Sequence, residues 1–278
     1  MLLGIFLQPS QREEYKIDIT FLFKFGNLNL PRGISVSPTG DIYVADTGNN
    51  SIKKFTRDGK LIRDVTGYGW GELEFDLPSD VDAGNGVAVY VADYNNHRVQ
   101  RFDKNLNFIA SFQGEIGGEK FFGFPLSAAV SKFGELFIID ENLRCVKINK
   151  FNQIEKTFGG IEAGAGRLIN PIQITLTFQN LIAILDGNHI LIYDYYGNFL
   201  RKFGDQYLKT PTGLFADSLL YVADGNEIFI FEINGKLLGK ITSPEKIYDL
   251  VRQGNLLYCL TDNEIVVYKL TFSRSRRY

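Results

Sequence analysis

Gly33, Asp80, Ser127, Gln173, Gly213 and Asp249 occupy the same place in a pattern that recurs along the chain, yet their side chains differ. Five of them stand two residues after a proline (Pro31, Pro78, Pro125, Pro171 and Pro211), and Asp249 is placed by alignment. If the fold draws these positions together, two carboxylates, a hydroxyl and an amide converge. That set suits a hard cation such as Ca²⁺, with Asp80 and Asp249 as its metal ligands, or a small polyol. Ordered water at a polar channel mouth would also satisfy it. Ser51, Arg98, Arg144, His189, Glu227 and Glu264 form a second equivalent set, cationic in its middle members and anionic in its last two. Such polarity can orient a charged partner, or the charges can be structural ion pairs. Tyr68, Trp70, Phe121 and Phe122 lie in glycine-rich stretches, where aromatic side chains could form a contact surface for a protein.

Other chemistries find little support. His97 and His189 are the only histidines, too few for a three-histidine zinc site. No Ser-His-Asp order and no phosphate-binding glycine loop between a strand and a helix is present. Cys145 and Cys259 lie outside any CxxC spacing and cannot make a disulfide framework. The chain has 30 basic and 32 acidic residues, a formal charge of -2, and its first long loop holds Glu72, Glu74 and Asp76 without a cation. RNA or DNA is therefore not expected as a partner. The six aspartates Asp46, Asp93, Asp140, Asp186, Asp224 and Asp262 recur at spacings of 47, 47, 46, 38 and 38 residues. A catalytic constellation is asymmetric, so an aspartate needed once per unit is read as a cap that accepts backbone N–H bonds in the turn after it.

Those spacings define the elements. LNLPRGISVSPTGDIYVADTGNNSIKKFTRDGKLIRDV recurs as FDLPSDVDAGNGVAVYVADYNNHRVQRFDKNLNFIASF, and four further copies follow. Each reads as four short period-two strands (GISVS, DIYVA, SIKKF and KLIRDV in the first) separated by Gly, Asn and Asp turns. Units of this length predict an all-β fold, a six-bladed β-propeller with four-stranded antiparallel blades. The blades are expected at about 28–67, 75–114, 122–160, 168–204, 208–243 and 244–270. The last lacks a fourth strand, whereas ITFLFKFG at 19–26 has no blade of its own and matches the outer strands NFLRKFG and IEKTFGG. It is expected to complete blade six and close the ring, leaving 1–18 as a leader or edge segment and 271–278 as a basic tail. The apolar Leu2–Leu7 lacks a basic flank, and an extracytoplasmic location is slightly favoured because it could be the stub of a secretion signal. No membrane span is expected, and a monomer is.

The segments DTGNNSIKKF and DYNNHRVQRF, following IYVAD and VYVAD, resemble the NHL repeat family. The resemblance covers about residues 19–270 at the level of blades and is most specific in the first two. It implies a six-bladed propeller and leaves function open, since such propellers include protein-binding platforms, RNA-binding domains and a zinc-dependent amidating lyase. The expectation is a noncatalytic platform for a protein or small polar ligand, with no cofactor or with Ca²⁺. Its working surface would be the loop face, where outer strands lead to the next inner strand. The alternative is a metal-dependent, lactonase-like hydrolase with its site at the central channel, and RNA binding stands third.

Overall fold

The computed structural model describes residues 14–116 and 119–275, and its strands form six four-stranded antiparallel sheets and one short two-stranded ribbon, Glu115–Ile116 with Glu119–Lys120. Blade one runs Gly33–Val36, Ile42–Asp46, Ser51–Phe55 and Leu61–Thr66 from the axis outward. The inner strands of blades two to six are Pro78–Asp82, Pro125–Val130, Pro171–Leu176, Pro211–Ala216 and Asp249–Gln253. Each inner strand touches the next, and the sixth touches the first. Alternation within each strand gives a sheet two apolar faces, and each buries against its neighbour. Six apolar clusters result, one in every wedge between consecutive blades. Cys145 and Cys259 are buried in two different wedges and unbonded.

Ring closure follows the expected plan with longer strands. Glu14–Phe25 pairs antiparallel with the third strand of blade six, Ile265–Ser275, with Phe21 opposite Tyr268 and Phe23 opposite Val267. Residues 14–18 and 271–275 therefore belong to blade six, as a two-stranded extension past the turn at Asn255. The remaining leader and the end of the tail, residues 1–13 and 276–278, lie outside the described residues.

The Phe-Gly pairs show why the first strand acts as an outer strand. Phe158 and Phe203, ending outer strands of blades three and four, pack onto Gly197 and Gly235 in the third-to-outer turn of the following blade. Phe25 does the same to Gly59 of blade one and lies edge-on to Phe55 at 5.3 Å. All three turn glycines have positive φ, and a Cβ on any of them would stand within 3 Å of the ring. The glycine thus allows both the turn and the close contact.

Five of the six repeated aspartates are structural, by a longer-range contact than an Asx turn. Asp46, Asp93, Asp140, Asp186 and Asp224 accept the backbone N–H two residues before the proline of their own blade, from Asn29, Asp76, Gly123, Ile169 and Lys209. They pin the incoming loop to the second strand. In blade six Asp249 pairs with Leu260, so the equivalent residue is Thr261, one place before Asp262.

Candidate functional site

The fold brings Asp80, Ser127, Gln173 and Asp249 together on the axis with Gly33 and Gly213, and joins them into a belt. In a four-stranded blade the inner edge of the innermost strand has no partner strand, so every second N–H points into the channel. The first such tier comprises the N–H groups of Ile34, Val81, Ala128, Ile174, Leu214 and Leu250. Four are taken by the side chain of the preceding blade: Ile34 by Asp249 Oδ2 at 2.9 Å, Ala128 by Asp80 Oδ2 at 3.2 Å, Ile174 by Ser127 Oγ at 3.1 Å, and Leu214 by Gln173 Oε1. The other two follow blades whose residue is Gly33 or Gly213. There the aspartate serves its own strand: Asp80 Oδ1 accepts Val81 N–H and Asp249 Oδ1 accepts Leu250 N–H, both at 2.8 Å. Ser127 also donates to Asp80 Oδ2, and Gln173 Nε2 donates to Asp249 Oδ2 at 3.1 Å.

Glycine is required at 33 and 213 because a Cβ would meet the Cα of Asp80 or Asp249 at 2.8 and 2.6 Å. The asymmetry of the set is therefore that of a hydrogen-bonded belt, which links Asp80 through Ser127 to blade four, and Gln173 through Asp249 to blade one. Burial pushes the Asp80 carboxyl up to about 7, against the pull of its Ser127, Ala128 and Val81 donors. Burial, and then the charge of Asp80, raises Asp249 as well.

Beyond the belt the channel widens into a cavity of about 660 Å³ that opens among the inner-to-second-strand turns. The belt is the floor of this cavity rather than its mouth, and the opening lies on the face opposite the outer-to-inner loops. A second tier went unseen in the sequence: Ser35 Oγ accepts Ala83 N–H at 3.0 Å and Asp82 Oδ2 accepts Val130 N–H at 2.7 Å. Stepping two residues along each strand from the first set would have found them. This tier is incomplete, because the matching positions that precede Val36, Leu176 and Arg252 are Val251, Ala129 and Phe215, which carry no acceptor.

The expected loop-face contacts divide. Tyr68 and Trp70 are 74% and 66% exposed. Phe122 is 3% exposed inside the wedge between blades two and three, with Phe121 packed against it, so Phe122 offers no contact surface. Arg98, 4% exposed, pairs with Asp93 at 2.8 Å and donates to the carbonyls of Trp70, Gly71 and Glu74. It holds the loop that carries Trp70. Arg144 leans on Asp140 and donates to Phe121 O, His189 faces Asp205 at 4.0 Å, Glu227 pairs with Lys240, and Glu264 with Lys24. Each arginine and glutamate of the second set has a local counter-charge, which leaves little field to steer a partner. His97 has a φ of 49° and its ring lies 3.8 Å from that of Phe124.

Among the described residues no three His, Cys, Asp or Glu side chains stand together as a metal site, and no helix is long and apolar enough to cross a membrane. The belt and its six wedges define the class, a six-bladed β-propeller with a channel closed at one end. The NHL repeat model matches residues 28–55 and 75–102, the first two blades. No curated protein matches the chain in sequence. Among solved structures, the virginiamycin B lyase of Staphylococcus aureus is 16% identical with a TM-score of 0.62, over 93% of this chain and 99% of that one. Its catalytically inactive variant with quinupristin is 14% identical with a TM-score of 0.63, over 92% and 99%. A protein assigned as a gluconolactonase is 13% identical with a TM-score of 0.71, over 97% and 96%. At these identities the likeness is one of fold.

Proposed function

We propose that this propeller is a binding protein that takes a small polar ligand of the polyol or sugar-acid class in its channel cavity and acts without catalysis. The observation that carries this reading is the cavity, whose volume is ordinary for a small-molecule site and whose wall keeps unclaimed backbone N–H groups at Val36, Leu176 and Arg252. A ligand rich in hydroxyls or carboxylate oxygens would supply their acceptors. The rigid closed ring limits the entropy lost on binding. Protein docking at Tyr68 and Trp70 on the opposite face is compatible with it.

Ca²⁺ fits the belt poorly. Each oxygen of Asp80 and Asp249 already accepts at least one hydrogen bond, and each carboxylate accepts three in all. A carboxylate offers about four lone-pair sites, and Ca²⁺ takes about six to eight oxygens. One observation favours a second reading, hydrolysis or elimination with Asp80 as general acid: its carboxyl titrates near neutrality at the cavity floor. The lyase and gluconolactonase names of the structural neighbours are compatible with that chemistry.

Calorimetry and thermal shift with D-gluconate and sorbitol, beside turnover assays with glucono-δ-lactone and quinupristin, separate the two. We expect saturable binding of gluconate or sorbitol that is lost on plugging the cavity with Thr175→Phe, and no rate above the spontaneous one. Binding unaffected by Thr175→Phe would contradict the cavity assignment. Turnover abolished by Asp80→Asn would establish the enzyme reading instead.

A further inference from the structure

A second concavity of about 250 Å³ lies between blades two and three on the face where the channel opens. Tyr90 and Phe112 of blade two and Phe133 of blade three give it aromatic walls, Arg101, Lys132 and Lys150 give it three cations, and no Asp or Glu lines it. Lys147, on the other face of blade three over Phe137 and Tyr195, is paired with Glu135 and Glu155. Among the described residues Arg101, Lys132 and Lys150 have no carboxylate within ion-pair distance. Arg101 instead lies over the Tyr90 ring at 5.7 Å, and its Nε is buried without a hydrogen-bond partner. Three like charges around one cleft repel each other, and a buried guanidinium N–H without an acceptor is costly. The fold gains nothing from either, whereas an anion in the cleft would answer both.

The turns that carry the lysines are built alike. Ser131 O accepts Gly134 N–H at 3.0 Å and Asn149 O accepts Asn152 N–H at 2.9 Å, while the Ser131 and Asn149 side chains accept the N–H groups of Phe133 and Phe151. Each therefore presents a Lys-Phe pair on a braced tip, with Nζ 5.1 or 5.2 Å from its own ring centroid. Phe133 and Phe151 are 58% and 71% exposed. The corresponding tips of blade one carry Pro38-Thr39 and Arg57-Asp58, so the fold itself asks for no phenylalanine there.

We infer that this cleft is a binding site for a small organic oxyanion, a phosphate or carboxylate borne on a flat apolar group. The cations would hold the charge, with the arginine fork matched to two oxygens, and Tyr90, Phe112 and Phe133 would enclose the apolar body. The cleft adjoins the channel cavity and shares Asn85 and Lys132 with its lining, whereas Tyr90, Arg101, Phe112, Phe133 and Lys150 lie outside the channel, so Arg101→Gln probes the cleft alone.

The test is calorimetric titration of the full chain at low ionic strength with phenyl phosphate and benzoate, beside inorganic phosphate, benzyl alcohol and phosphatidylcholine vesicles containing phosphatidic acid. The double variant Lys132→Glu, Lys150→Glu changes two exposed turn positions, and its melting temperature without ligand verifies that it folds. Arg101→Gln provides a second, single-site probe. The expected result is saturable binding of phenyl phosphate or benzoate, tighter than either fragment, weakened by about tenfold or more in the double variant and by added salt. Absence of saturable binding to the wild-type chain, or unchanged affinity in a folded double variant and in Arg101→Gln, would overturn the assignment. Binding confined to the phosphatidic acid vesicles would also overturn it, in favour of a lipid headgroup.

Discussion

A chain lacking residues 1–26 should not fold cooperatively, although it retains the other three strands of blade six. The deletion strips Glu14–Phe25 from Ile265–Ser275 and leaves that strand as an open edge. It also removes Ile17, Ile19, Phe23 and Phe25 from the two apolar clusters flanking blade six. In a ring this loss is not local, since blades five and one both lose part of their packing at once. Gly59→Ala probes the same junction from the other side. The substitution keeps a positive φ of 89° and places a methyl 2.5 Å from the Phe25 ring, which should cost about 2 kcal/mol. Denaturant unfolding followed by circular dichroism reads both. A truncated chain that unfolds in one transition at the wild-type midpoint would contradict this account of closure.

Replacing Asp80 by alanine should be the most damaging single change at the axis. It leaves the N–H groups of Val81 and Ala128 and the hydroxyl of Ser127 without their acceptor in a buried place. At roughly 1–3 kcal/mol for an orphaned buried donor, partly offset by water from the cavity, a loss of about 3 kcal/mol is expected. The same carboxylate sets a pH dependence. Asp80 titrates at about 7 in the fold, and burial also raises Asp249 and Asp82, so between about pH 4 and 7 the folded chain holds protons that the unfolded chain releases. Stability from these groups is therefore full below about pH 4 and falls as pH rises through 7. For Asp103 and Asp194 burial is the largest single influence and pushes the carboxyl up, but the N–H bonds led by those from Asn107 and Asn198 together outweigh it, and the stability they lend is lost only in more acid solution. The melting temperature should thus be higher at pH 5 than at pH 8, with a shallower fall in Asp80→Asn. A rise from pH 5 to 8 that is identical in both proteins would contradict the buried-carboxylate belt.

The features legible in the sequence are those that the fold needs once per blade. Period-two runs, prolines before the inner strands and the Phe-Gly pairs at three outer-strand ends arise from constraints acting within a blade or across one wedge. ITFLFKFG therefore shows its role before any coordinate does. The axial set was equally legible as a set, because equivalence in the repeat guarantees a common radius. What it does was not, since Ser127 and Gln173 reach donors about one blade away in sequence, and only the ring fixes which blade precedes which. The open end of the cavity depends on how far side chains extend across the axis, and no spacing encodes that. Phe122 misled because a glycine-rich loop reads as exposed, while here it folds back and fills the wedge at Phe122. Asp262 misled because the short last unit allows a one-residue slip that strand pairing resolves.

Hydrogen exchange of the inner-strand amides tests the sealed axis most directly. With the belt closed, Ile34, Val81, Ala128, Ile174, Leu214 and Leu250 should exchange only with global unfolding, although their strand edge has no partner strand. Val36, Leu176 and Arg252, one tier nearer the cavity mouth, should exchange markedly faster. Rapid exchange of the first six, at rates matching the second group, would show a channel open from end to end and would contradict the account.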